Sequence, residues 1–254
     1  MKIGVIGNTI LTYKALELFL RKGYQVEYVF GLPEQALQNK VNSCDIKSFC
    51  SKNNIAYYIT NDWNLILEKD VRCVYELGDS RIVPAFFLEK NVVIGNHGAI
   101  LPSVQGAASL VWGRMLNNGK WGVSLMKLSE MVDRGNILKT KEITYDKSNT
   151  TMEEFVEMCD AATIDCLEEY LQEDHSGLVN EKWQVKIRKG TNSMKAVQIL
   201  NFCVENKINV YLPPRQPEDA KVDSSWCANF IDSFESANNS PYPKYYYETD
   251  GYNG

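Results

Sequence analysis

The sequence predicts an α/β protein: a doubly wound, mostly parallel sheet followed by a smaller carboxyl-terminal module. Three observations predict it. Short apolar runs alternate with helix-period patterns from Lys2 to Leu171, and the first three elements read strand, helix, strand. In addition, Asn8, Gly78 to Arg81, and Asn96-His97 each follow a predicted strand, where loops converge on a ligand crevice in an open parallel sheet.

The elements follow in order. Residues 2 to 6 form a short apolar strand, and Gly7-Asn8-Thr9 turns into a helix with Leu11, Ala15, Leu16, Leu18, Phe19 and Leu20 as its apolar positions, stopped at Gly23. Gln25 to Phe30 is the second strand. Asp45 to Asn53 reads as helix, Ala56 to Ile59 and Val71 to Leu77 as strands, and Val92-Val93-Ile94 as a short buried strand directly before His97. Residues 107 to 117 read as helix, closed by Asn117-Asn118-Gly119, and Trp121 to Leu128 as strand. Thr151 to Leu171 is a long helix with Glu153 and Glu154 in its first turn, where carboxylates meet the positive end of the helix dipole. Pro213-Pro214-Arg215-Gln216-Pro217 is stiff and extended. A boundary is expected near residue 185, dividing a catalytic domain, 1–185, from a connecting segment and small module, 186–254.

Apolar residues make up 44% and charged residues 23% of the 254-residue chain, which excludes a disordered protein. A net charge of -5 gives no electrostatic reason to expect nucleic acid, while still permitting a local basic pocket for an anionic small molecule. The apolar run at the amino terminus is too short for a signal peptide, and none reaches the length of a membrane span. Cys44, Cys50, Cys73, Cys159, Cys166, Cys203 and Cys227 are scattered singly, as in a reduced cytoplasmic protein without a zinc cluster.

Of the two histidines, His97 can be a core residue bonded to backbone or a group at the crevice. Gly98 and Leu101-Pro102 take the chain promptly out of the sheet and favour the crevice. His175, in a polar turn, reads as solvated surface. Asp133, before Arg134 and Gly135, can be a capped turn or the partner of His97 in proton transfer. Asn8 is a weak phosphate signal, and the absence of Gly-x-Gly-x-x-Gly there gives a nicotinamide dehydrogenase little support. Arg81 and Arg215 read as surface charges or ligands. Tyr242, Tyr245, Tyr246 and Tyr247 read as a packing cluster or a stacking platform, and this tail could pair with a second copy in a homodimer.

Taken in order, several segments resemble the N10-formyltetrahydrofolate-dependent formyltransferases. They are Ile3 to Phe30, Gly78-Asp79-Ser80-Arg81-Ile82-Val83-Pro84, His97 to Pro102, Gly106-Ala107-Ala108, Trp112, Leu116 to Gly119, Gly122-Val123-Ser124, and Val132 to Ile137. Pro213 to Asp219, Val222-Asp223 and Pro241-Tyr242-Pro243 resemble the connecting segment of the tRNA and sugar enzymes of that family.

The resemblance implies a catalytic His97 and Asp133, with Asn96 as the third member. The family pattern is Asn, any residue, His; aligned on His97, its asparagine falls on Gly95 and Asn96 is the neighbour, on the opposite side of an extended segment. In this reading an amine attacks the formyl carbon, His97 and Asn96 serve the developing oxyanion, and Asp133 orients His97 and takes a proton. Ser80, Arg81, Ile82, Val83 and Asp133 would bind the folate co-substrate, and Asn8, Arg81, Gln105, Trp112 and Arg215 the acceptor; no metal is needed. A carboxyl-terminal basic barrel marks the tRNA enzymes, and an amino-terminal regulatory domain marks the formyltetrahydrofolate hydrolases. The connecting segment is lacking in glycinamide ribonucleotide enzymes. The resemblance therefore implies a nucleotide-linked amino sugar, such as a dTDP-4-amino-4,6-dideoxyhexose, as acceptor in surface-polysaccharide (lipopolysaccharide O-antigen) synthesis. A hydroxyornithine-type amine and a non-catalytic sugar-nucleotide or folate-binding module are the alternatives.

Overall fold

The computed structural model describes residues 1–37, 42–173, 177–180 and 184–248; His175 lies outside the described residues. The chain runs β1 (Lys2–Ile6), α1 (Ile10–Arg21), β2 (Gln25–Gly31), α2 (Glu34–Leu37), α3 (Ile46–Lys52), β3 (Ala56–Ile59), α4 (Asn64–Leu67), β4 (Cys73–Glu76), α5 (Ala85–Lys90) and β5 (Val93–His97). It continues through β6 (Val104–Gly106), α6 (Ser109–Met115), β7 (Lys120–Lys127), β8 (Asn136–Thr144), α7 (Met152–Tyr170), β9 (Val185–Lys186), α8 (Ser193–Glu205), β10 (Val210–Leu212) and α9 (Ala228–Ala237).

Two compact units emerge. The first comprises Met1–His97, Ser124–Lys141 and Asp160–Asn180, and the second Gly98–Val123, Glu142–Cys159 and Glu181–Gly254. The carboxyl-terminal module expected from the sequence thus corresponds to the last stretch of a unit that also takes in two earlier segments.

The large sheet has the order β3-β2-β1-β4-β5-β7-β8. Strands β1 to β5 pair in parallel, and β7 runs antiparallel to β5. Burial on both faces explains the nearly unbroken apolar runs of β1 and β4. In the first unit, Ile6, Tyr28, Phe30, Val74 and Val93 from the strands pack with Trp63, Ile66 and Phe87. The strand order reverses between β1 and β4, and there Thr12 at the start of α1 donates its hydroxyl to the Leu77 carbonyl at 2.6 Å. That bond ties the first helix to the turn after β4, at the point where open α/β sheets bind ligands.

One difference from the sequence reading matters for the site. The expected strand 92–94 extends to His97, because Gly95, Asn96 and His97 pair with Met126, Leu125 and Ser124 of β7. His97 therefore closes a strand and does not begin a loop. Strand β8 was not expected: Lys139, Lys141 and Glu142 interrupt its apolar pattern, and its burial alternates only in part.

In the second unit, β6, β10 and β9 form a small parallel sheet. Trp226, Phe230 and Phe234 cluster nearby in sequence on and before α9, with Trp226 edge-on to both phenylalanines at 5.0 Å.

Candidate active site

His97 and Asp133 meet in the first unit. His97 Nδ1 lies 3.4 Å from Asp133 Oδ1, and both side chains are buried. This is loose for a hydrogen bond and within ion-pair distance, a geometry common in catalytic pairs before substrate tightens them. Asp133 adopts a left-handed backbone, φ 56°, which few side chains other than Asn and Asp accept. Buried Asn180 supports it, donating through Nδ2 to the carbonyls of Asp133 at 2.9 Å and Gly135 at 2.7 Å. Gly135 is required for another reason: a Cβ there would lie 1.7 Å from the Lys127 carbonyl oxygen. Gly135→Ala is expected to cost about 1–3 kcal/mol of stability by overpacking and to pull Asp133 off His97. Thermal unfolding unchanged from the native chain would count against this.

Asn96 does not join the pair. Its Oδ1 accepts the Gly78 N–H at 3.2 Å, so it holds the turn after β4. The His97 side of β5 is shaped instead by Gly95 and Glu76. The two residues are register partners across β4 and β5, and Glu76 Oε2 lies 2.9 Å from where a Gly95 Cβ would stand. Its Oε1 accepts the Asp79 N–H at 3.1 Å. Sequence reasoning missed Glu76, although a lone carboxylate in the buried run Cys73–Glu76 was a signal. Asn180 carried no such signal.

The turn after β4 is rigidly built. Arg81 spends all five guanidinium donors within the first unit: Nε and Nη2 reach Asp79, Nη2 also reaches the Phe30 carbonyl, and Nη1 reaches the Gly31 and Thr60 carbonyls. Its plane stacks 4.6 Å over Phe30 and 5.5 Å over Trp63. Arg81 therefore holds the turn and has no N–H left for a pyrophosphate. Asn8 is fully buried beside it, accepting from the Leu32 N–H at 2.8 Å and donating to Asp79 at 3.3 Å. The Ser80 N–H donates to Asp79 at 2.7 Å, Val83 joins the core, and Ile82 is exposed.

Gln105, Trp112 and Arg215 belong to the second unit. Buried Gln105 donates to the Pro102 carbonyl at 3.1 Å, while its Oε1 has no partner among the described residues. Trp112 donates to the Pro213 carbonyl at 3.1 Å, and the Arg215 guanidinium sits 4.7 Å over its ring. Burial pushes Arg215 down to about 10, with Asp219 opposing the shift. Tyr246 bridges Lys221 through backbone bonds with Val222 and Ala220, Tyr245 packs edge-on against Tyr247, and the Tyr246 and Tyr247 side chains are exposed.

Among the described residues no three His, Cys, Asp or Glu side chains group as a metal site would. No helix among them is long and apolar enough to cross a membrane.

No family model matches the chain. A methionyl-tRNA formyltransferase from Prochlorococcus marinus (strain MIT 9312) is 28% identical over 160 residues, covering 59% of this chain and 49% of that protein. Among solved structures, a sugar N-formyltransferase from Shewanella sp FDAARGOS_354 superposes with a TM-score of 0.68 at 13% identity, over 98% of this chain and 93% of that one. WlaRD, a sugar 3N-formyltransferase solved with dTDP and 5-N-formyl-THF, gives 0.65 at 15% identity, over 93% and 78%. The chain is a relative of the formyltransferases. It spans about half the length of the curated formyltransferases it matches. The likeness in fold extends over 98% of this chain, and His97 and Asp133 are the two residues of the expected catalytic set that the structure brings together.

Proposed function

We propose that the chain is a folate-dependent N-formyltransferase whose acceptor is the amine of a nucleotide-linked amino sugar. The carrying observation is the buried His97–Asp133 pair, 3.4 Å apart at the carboxyl end of β5, in a formyltransferase fold. The surroundings suit a folate. Ile82, Met131 and Val132 are 72%, 59% and 46% exposed on the two turns that carry Arg81 and Asp133, apolar side chains of the kind a flat heteroaromatic ring covers. The folate supplies an activated formyl carbon. Asp133 orients the His97 ring through Nδ1, so that Nε2 is the nitrogen that serves the formyl oxygen and the amine proton. The acceptor class is favoured by the sugar enzymes among the structural neighbours, one of which was solved with dTDP.

Glu76 gives this mechanism a second carboxylate on the Gly95 side of His97. Glu76→Gln keeps the shape and an acceptor for the Asp79 N–H while removing the charge. Turnover is expected to fall about tenfold or more, with folate affinity within about twofold. Unchanged turnover would confine Glu76 to bracing the Asp79 turn.

The reading is tested by calorimetric titration with 5-formyltetrahydrofolate and a panel of aminosugar nucleotides, followed by loss of the free amine in the presence of the N10-formyl donor. Binding with no formyl transfer to any acceptor would leave a non-catalytic module. The curated relatives favour methionyl-tRNA as a second acceptor, so a charged-tRNA arm belongs in the same assay.

A further inference from the structure

The second unit contains a pocket of about 720 Å³ lined mainly by hydroxyl, amide and charged residues, and every residue lining it belongs to that unit. Its walls come from the end of α6, the turn entering α7, and α9 with the residues after it. Two cations line it. Arg114, on α6, is 1% exposed; its Nη2 donates to the carbonyls of Lys147, at 3.0 Å, and Thr150, its guanidinium lies 5.5 Å over the Tyr145 ring, and its Nε and Nη1, buried behind the pocket wall, have no hydrogen-bond partner among the described residues. The Tyr145 hydroxyl favours the Arg114 charge but reaches no hydrogen-bonding geometry with it. Lys147 donates to the last carbonyls of α6, Met115 at 3.1 Å and Leu116.

Neither cation has a carboxylate ion-pair partner among the described residues. They instead act on each other: burial and the Arg114 charge push Lys147 down to about 7. Two half-desolvated like charges without a counterion are an unfavourable arrangement that an anion would relieve. The third element is the amino end of α7, a 19-residue helix. Thr151 and Glu154 cap each other's N–H groups, which leaves those of Met152 and Glu153, both pocket residues, directed out of the first turn. The remaining wall is hydroxyl and amide, including Ser233, Ser236 and Asn239. Glu153, which accepts from the Ser240 hydroxyl, and Asp232 also line the pocket. These two carboxylates disfavour a polyphosphate and suit the hydroxyls of a sugar.

We propose that this pocket binds a phosphate monoester of a hydroxyl-rich small molecule, a sugar phosphate in class, with Lys147 and the amino end of α7 holding the phosphate and the buried Arg114 charge behind them. The proposal does not depend on the transfer reaction, and its test needs no turnover.

The test is calorimetric titration and thermal unfolding of the full chain at pH 6.5 in low salt, with inorganic phosphate and glucose 1-phosphate as probes and sodium chloride at matched ionic strength as control. Saturable binding is expected, with glucose 1-phosphate about tenfold tighter than phosphate and no comparable shift from chloride. Lys147→Gln is expected to weaken both at least tenfold. Because Arg114→Gln removes two bonds to the α7 turn and can fail to fold, Ser236→Trp, which fills the pocket, is the second variant and should abolish binding. Stabilisation no greater than that from chloride, or binding unchanged in both Lys147→Gln and Ser236→Trp, would overturn the proposal.

Discussion

His97→Ala is expected to lower kcat for formyl transfer by about a thousandfold, with the affinity for 5-formyltetrahydrofolate within about twofold of the native chain. The imidazole lies at the end of β5 with Nδ1 against Asp133, and its proposed task is at the formyl oxygen, with the folate ring carried by the turns. Losing it should therefore remove transition-state stabilisation without uniform binding, which appears as a loss in kcat with KM little changed. Asp133→Asn should follow with about a hundredfold loss, since the amide keeps the left-handed backbone and the contact to His97 while losing the charge. Measuring both variants by amine loss under saturating donor, alongside equilibrium folate binding, decides the matter. Near-native kcat in either variant removes that residue from the chemistry, and a parallel collapse of folate binding would recast the pair as a binding element.

The second large effect is on stability. Arg215→Ala is expected to destabilise the chain by about 3–5 kcal/mol, read as a lower midpoint in denaturant at unchanged slope. The guanidinium is wedged over Trp112 at 4.7 Å and Phe234 at 5.7 Å. It donates to the Asp219 carbonyl at 2.6 Å and to Asn238 Oδ1 at 3.0 Å. Truncation opens a gap between two rings and strands buried acceptors together, so the cavity and desolvation costs add. Arg215→Met, which refills the volume, should recover part of the loss. The alternative role is a direct contact to the acceptor, as the family resemblance implies. Under that role Arg215→Ala would leave the midpoint near native and raise KM for the sugar nucleotide. The two outcomes are separable in one preparation.

The parallel core was legible because burial on both faces writes itself as continuous apolar runs, and β1, β2 and β4 have them. His97 was legible as a crevice candidate because Gly98 and Leu101-Pro102 follow it, and the catalytic roles of His97 and Asp133 came from the resemblance of their segments to the formyltransferases. What surrounds them was not. Asn180 reaches the Asp133 turn from 47 residues downstream, and no local pattern records such a contact. Arg81 is a charged residue in a turn, and composition there cannot distinguish a ligand contact from a guanidinium whose five donors are spent on Asp79 and three carbonyls. Asn96 shows the reverse. Period-two alternation already set it opposite Gly95, and its bond to Gly78 is what that alternation gives once the strand runs through His97.

The left-handed backbone at Asp133 has an evolutionary consequence. At φ 56° asparagine is tolerated almost as readily as aspartate, and the genetic code separates the two by one nucleotide. A single mutational step can thus remove the carboxylate while the turn, the Asn180 brace and the fold persist. Lineages of this chain can lose the carboxylate without losing the protein, and a well-folded descendant with asparagine at 133 would survive as a scaffold open to other uses.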